Sequence, residues 1–253
     1  MFKHLSRTAA AVLFAAALAS AQGGTQSSTP GGGAQGAAPQ SGTQAPAPAA
    51  PQGGTQMVKS GDGHEWAPLL EQKLDYKDWT FKRLKDDAPI SLRELAQGKK
   101  LLMVVYFAPW CGNWRAEAPT VWRLYDKYKA EGFEVVAVSE YATADDARKY
   151  FEGQGGAPFP VVVESEAGDA KEKTTHYAYR KAIGDPRNWG SPFNVFLEPA
   201  KLNASGELLT EKAWVVGGEL VEKDAEQFIR ERLGLTQQSA VEPCKDEPKA
   251  TKQ

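Results

Sequence analysis

Two apolar runs most constrain this chain. Leu101 to Phe107 reads LLMVVYF and Phe133 to Ser139 reads FEVVAVS. Each has the length of one strand and no alternation of polar and apolar residues, which is the pattern of strands covered on both faces. Between them the period changes: Val121, Leu124, Tyr125 and Tyr128 recur at helical spacing, and Gly132 follows as a stop. The helical segment, Trp110 to Ala130, carries Pro119 inside it, and a kink is expected there. A second helical segment, Thr143 to Phe151 (TADDARKYF), opens on a capping threonine and two acids. It leads to a third strand candidate, Phe159 to Val163. Strand, helix, strand, helix, strand predicts an α/β domain with a parallel core.

Flanking segments complete the outline. Trp79 to Leu84 alternates as a short strand, and Ile90 to Ala96 leads into a helical turn with Ser91 as its cap. Lys173 to Ile183 reads as an inserted helix. Phe193 to Leu197 reads as a strand after Pro192, paired as an antiparallel hairpin with Ala213 to Val216 across a loop around Asn203 to Gly206. Gly153, Gly155 and Gly156 form a turn. Gly217 and Gly218 turn the chain into a last amphipathic helix, Lys223 to Leu233.

The ends differ from this body. Lys3 and Arg7 precede an apolar run from Thr8 to Ala19, which closes on Ala19-Ser20-Ala21. Residues 1–21 therefore read as a secretory signal peptide, too short to span a bilayer comfortably. Residues 22–60 are dominated by Gly, Ala, Pro, Gln, Ser and Thr and carry no charge from Gln22 to Gln56. Such a segment cannot offset its ordering entropy by burial, so a disordered linker is expected. Residues 61–235 are the expected domain and 236–253 a polar tail. The product is expected to be exported, periplasmic or extracellular, with no stable membrane span after cleavage.

The 30 Lys and Arg are interspersed among 32 Asp and Glu, leaving a formal charge of −2. No basic stripe suggests nucleic acid as a partner. His64 and His176 are far apart and make no metal-ligand spacing with the two cysteines, and no phosphate loop precedes a helix, so no cofactor is expected. Two cysteines, Cys111 and Cys244, suit one bridge or one reactive thiol with a distant partner.

Cys111 stands where the first buried strand gives way to the helix. Free N–H groups at a helix start favour negative charge, and the thiolate is the nucleophilic form of cysteine. The stretch Phe107-Ala108-Pro109-Trp110-Cys111-Gly112-Asn113-Trp114-Arg115-Ala116-Glu117-Ala118-Pro119 resembles the active-site region of thioredoxins, and more closely the exported TlpA-type branch. Phe107, Ala108, Trp110 and Cys111 match its pattern, as do Arg115, Glu117 and Pro119 at their offsets. Gly190-Ser191-Pro192 resembles the loop with a cis proline before a strand. The resemblance covers Trp79 to Leu233 and implies a thioredoxin fold, a central mixed sheet flanked by helices with an insertion before the cis-proline loop. It also implies thiol–disulfide chemistry on protein or small-molecule thiols and disulfides.

Two departures stand beside the match. Trp114 occupies the place of the second cysteine of the C-x-x-C pair, and Val105 the place of a buried acid often present in thioredoxins. Cys111 is then a single local thiol, released by Cys244 or by an external thiol from an unidentified donor. The inert alternative is a buried free cysteine. Cys244 is either a resolving partner, whose bridge could stabilise the fold by up to about 5 kcal/mol, or incidental. Trp110 and Trp114 are candidate rim residues for substrate, with Trp114 alternatively a filler of the vacated place. Ser191 and Pro192 are candidates for holding an extended substrate beside Cys111. Glu117 is read as a proton relay or as a solvated carboxylate, and Arg115 as solvated. Tyr177, Tyr179 and Trp189 either line a groove or pack in the core. A redox-inactive binding module and a thiol peroxidase are the rival functions. The related peroxiredoxins place a threonine three residues before their cysteine, where this chain has Ala108.

Overall fold

A computed structural model describes residues 58–166 and 168–235. The expected signal peptide, nearly all of the linker, the tail and Cys244 lie outside the described residues. The described part opens on β1 (Val58–Lys59), which pairs antiparallel with β2 (Glu65–Ala67); two residues read as linker are thus strand. Gly63, at φ 91°, closes the turn between them.

The strands are β3 (Leu70–Lys77), β4 (Thr80–Arg83), β5 (Pro89–Ser91), β6 (Leu101–Phe107), β7 (Phe133–Ser139), β8 (Val161–Val163), β9 (Phe193–Leu197), β10 (Leu208–Val216) and β11 (Glu219–Leu220). The helices are α1 (Leu92–Ala96), α2 (Gly112–Tyr128), α3 (Ala144–Glu152), α4 (Thr175–Ala182) and α5 (Glu222–Leu233). Eight strands form one sheet in the order β3-β10-β9-β6-β7-β8-β4-β5. β6, β7 and β8 are parallel, and β9 returns antiparallel to β6, giving the expected mixed sheet. β1, β2 and β11 form a second, small sheet.

β6 explains why its run is apolar throughout. Leu101, Met103, Val105 and Phe107 face a core shared with α2, α3 and α5, while Leu102, Val104 and Tyr106 face one shared with α1 and α4. Alternate residues point to opposite faces, so a central strand with helices on both sides needs every position apolar. Val105, at 0% exposure, belongs to the first core.

Local signals set the helix ends. Ser91 and Glu94 make a full capping box on α1; Thr143 and Thr174 cap α3 and α4. α2 runs as one helix through Pro119. Gly132 and Gly234 take left-handed conformations beyond helical segments. β3 was not among the expected strands. It places only Leu74 and Tyr76 in the core and is held by its long antiparallel ladder with β10.

Candidate functional site

The antiparallel pairing of β6 and β9 sets Tyr106 opposite Phe193. The C-terminal end of β6 and the N-terminal approach to β9 therefore share one edge of the sheet. Cys111 follows the first and the Ser191–Pro192 peptide, which is cis as expected, precedes the second. The Cys111 N–H donates to the Ala108 carbonyl (2.9 Å), and the Cys111 carbonyl accepts from the Arg115 N–H (3.1 Å). Cys111 is thus the N-cap of α2, in extended backbone conformation, and its side chain makes no cap hydrogen bond. Its Sγ instead donates to the Ser191 carbonyl at 3.1 Å. The Ser191 hydroxyl accepts from the Ala108 N–H at 2.9 Å, which ties the two loops together. The Cys111 side chain is partly exposed, while Ser191 and Pro192 are buried.

An aromatic wall stands on one side. Trp110, 45% exposed, donates through Nε1 to the Tyr141 carbonyl (3.0 Å) and meets Trp189 edge-on at 5.5 Å. Tyr141, with φ 61°, packs on Trp189 at 5.2 Å. Its hydroxyl reaches His176 Nδ1 at 3.0 Å, and His176 Nε2 reaches the Gly190 carbonyl at 3.1 Å. A carbonyl only accepts, so Nε2 carries the proton and Nδ1 accepts from Tyr141. Burial holds His176 neutral, pushing its pKa well below the usual histidine value. This histidine thereby fixes both the approach to Pro192 and the residue that anchors Trp110. Nothing in its sequence surroundings indicated that role.

Trp110 is where a rim residue should be; Trp114 is not. Its side chain is wholly buried, 4.7 Å from Phe107 and 6.3 Å from Tyr150 between ring centres. Three residues beyond the N-cap, the helix has turned that position onto the sheet. Of the two readings of Trp114, the core filler is the observed one, and it lines no substrate surface. Of the other aromatics, Tyr179 is buried and its hydroxyl accepts from the Lys77 N–H (3.0 Å), while Trp189 joins Trp110.

Glu117 is not a solvated carboxylate. It is 2% exposed, and its Oε2 accepts from the Leu220 N–H (2.6 Å) and from Asn194 Nδ2 (3.3 Å). Burial pushes its pKa up to about 8, against those two hydrogen bonds. It makes no hydrogen bond to Cys111. The helical spacing of Trp114, Glu117, Ala118 and Val121, all buried, was a signal that Glu117 lies on the inner face. Asn194, a lone polar residue in the apolar run FNVFL, was the matching signal on β9; it also donates to the Gly218 carbonyl (3.1 Å). Glu140, just after β7, is buried and accepts from Ser165 Oγ (2.6 Å); burial and the neighbouring Glu164 carboxylate push its pKa well up. Among the described residues no group of His, Cys, Asp and Glu is placed to hold a metal ion.

A mixed sheet with helices on both faces, a cysteine at the start of the helix after β6 and a cis proline before β9 define a thioredoxin-like domain. Residues 74–181 match the model of the AhpC/TSA family. Among curated proteins, the chain is 36% identical over 75 residues to thiol-disulfide oxidoreductase ResA of Bacillus thuringiensis, covering 30% of this chain and 42% of that one. It is 29% identical over 129 residues to a protein disulfide-isomerase of Saccharomyces cerevisiae, covering 51% of this chain and 22% of that one. The chain thus spans less than half the length of these curated relatives. Among solved structures, a thioredoxin-family thiol:disulfide interchange protein of Chlorobium tepidum matches at 20% identity and TM-score 0.45, over 64% of this chain and 98% of that one. The fold assignment stands on this chain's own strand order and helix placement.

Proposed function

We propose that this chain is an exported thiol–disulfide oxidoreductase that works through one local thiol, Cys111. The observation that carries the reading is a partly exposed sulfur at the start of a 17-residue helix, beside the Ser191 carbonyl at 3.1 Å. The Cys111 thiolate attacks one sulfur of a substrate disulfide. A Cys111–substrate disulfide forms, and the other substrate sulfur leaves as a thiolate that takes up a proton. A second thiol, from Cys244 or from an external donor, then attacks the mixed disulfide; its own sulfur is oxidised and Cys111 is released. Ser191 and Pro192 hold an extended substrate against the site, and Trp110 forms its aromatic side. Glu117, buried on the inner face of α2 with its pKa pushed up to about 8, is the proton relay of this reading. Export rests on residues 1–21, and the Gly/Ala/Pro/Gln-rich segment from Gln22 to Gln56 is the tether of the domain.

Mass spectrometry of the protein from its exported compartment, purified without reductant, tests this reading. A Cys111–Cys244 bridge or an adduct on Cys111 supports it. A free, unreactive Cys111 that ignores a disulfide probe overturns it. A redox-inactive binding module is the second reading, favoured by the complete burial of Trp114, which leaves no second thiol in the motif. The AhpC/TSA match keeps a thiol peroxidase as the third, against Ala108 in place of the threonine. Slow reaction of the reduced protein with peroxide removes it.

A further inference from the structure

A pocket opens between α3 and the segment that leads into Cys111; Cys111 itself is not among its lining residues. It has a volume of about 430 Å³ and is lined by Pro109, Trp110, Arg115, Asp146, Lys149 and Tyr150. Pro109 and Trp110 lead directly into Cys111, and Arg115 lies one helical turn beyond it on α2. The walls are two aromatic rings; the charges are two cations and one carboxylate. Asp146 is already engaged: its carboxylate accepts from the Thr143 hydroxyl at 2.7 Å, in the cap of α3. Arg115 spends its Nε–H on the Pro109 carbonyl (2.9 Å) and sits 6.0 Å from the Tyr150 ring centre. Neither Arg115 nor Lys149 has a carboxylate partner within ion-pair distance among the described residues, whereas Arg148, the neighbour of Lys149 on α3, pairs with Asp87 and Asp145. A small cavity with aromatic walls and two unpaired cations suits a small carboxylate-bearing molecule.

We infer that this pocket binds the carboxylate end of a low-molecular-weight anionic thiol, and that this thiol is the external partner of Cys111. The inference rests on the redox reading. The substrate is a disulfide between a protein sulfur and the small thiol. Cys111 attacks the small thiol's sulfur, forms a disulfide with it, and expels the protein sulfur as a thiolate that is then protonated. A second molecule of the small thiol attacks that mixed disulfide. The sulfur it attacks is the one already bound to Cys111, so the products are the small-molecule disulfide and the Cys111 thiolate. The protein sulfur is reduced and the second small thiol is oxidised, while the first small-thiol sulfur stays at the disulfide level throughout, so electrons balance without a second cysteine in the motif. The pocket holds the same small group throughout the adduct's life.

The test uses the full reduced chain and three symmetrical disulfides: dithiodipropionate (anionic), bis-hydroxyethyl disulfide (neutral) and cystamine (cationic). Adduct formation on Cys111 is followed by acid quench and peptide mass. Each rate is divided by the neutral probe's rate in the same variant, so that changes in thiol ionisation cancel. The anionic probe is expected to lead the neutral one by about tenfold and to lose that lead in the Arg115→Gln/Lys149→Gln variant and at high salt. Lys149→Gln alone, at an exposed position whose side chain makes no hydrogen bond among the described residues, should lose part of the lead and guards against misfolding of the double variant. An equal ratio in wild type and both variants, with the neutral probe reacting, overturns the pocket and leaves the redox reading intact. No adduct with any probe overturns both.

Discussion

The Cys111 thiol donates to the Ser191 carbonyl oxygen over 3.1 Å, although 80 residues separate the two in the chain. The adjacent bond from the Ala108 N–H to Ser191 Oγ, 2.9 Å, holds the loop after β6 against the loop before β9. The only described cysteine sulfur is therefore held against the backbone of the loop that leads into β9.

Removal of either sulfur separates attack from release. Cys111→Ser should abolish mixed-disulfide formation with a disulfide probe. Cys244→Ser should leave attack intact and slow release. If the wild type and Cys111→Ser react alike, the redox function is lost.

Glu117 should make the fold less stable as pH rises. Its pKa in the folded protein is about 8, against an ordinary value of 4.5. Between those limits the folded chain keeps a proton that the unfolded chain has released, so each step up in pH favours unfolding. The stability is fully present below the ordinary value and is lost toward pH 8, by a few kcal/mol at most. Glu117→Gln should flatten this slope while still accepting from the Leu220 N–H. Glu140, also pushed up by burial, leaves a residue of the same sign. Urea midpoints across pH check the difference; parallel slopes in the two proteins would refute it.

Trp114 should behave as a core residue. Trp114→Ala leaves a cavity against Phe107 and should cost about 3–5 kcal/mol. Trp114→Cys should cost nearly as much while supplying a second thiol to the motif. A loss below about 1 kcal/mol in denaturant unfolding would mean that the indole is not the plug its burial indicates.

Gly190→Ala should disturb the loop before Pro192. Gly190 sits at φ 63°, and a Cβ there would collide with the Arg180 guanidinium, itself bound to Asp185 at 2.9 Å in a pair that is 1% exposed on each side. Backbone strain and the clash together should cost at least about 2 kcal/mol. The rate of Cys111 adduct formation should fall as the Ser191 carbonyl moves. An unchanged melting temperature and rate would contradict this.

The elements whose pattern is internal were legible residue by residue. LLMVVYF, FEVVAVS and FNVFL coincide with β6, β7 and β9, because apolar continuity reports burial on both faces wherever the strand sits. Caps at Ser91 and Thr143 were equally local. β3 and the small sheet of β1, β2 and β11 were not, because their few apolar residues leave them dependent on partner strands far along the chain.

The sequence by itself determined that a parallel-cored α/β domain places one cysteine at the start of the helix after its central strand. Periodicity, caps and a turn proline act over a few residues and need no distant partner. Only the tertiary structure decided which side chains meet at that sulfur. Trp114 and Glu117 turn inward because α2 lies on the sheet, and His176 and Gly190 come to the site because β9 returns beside β6. Those contacts are set by strand pairing across tens of residues; the helical spacing of α2 marks only which positions face inward, not what they meet.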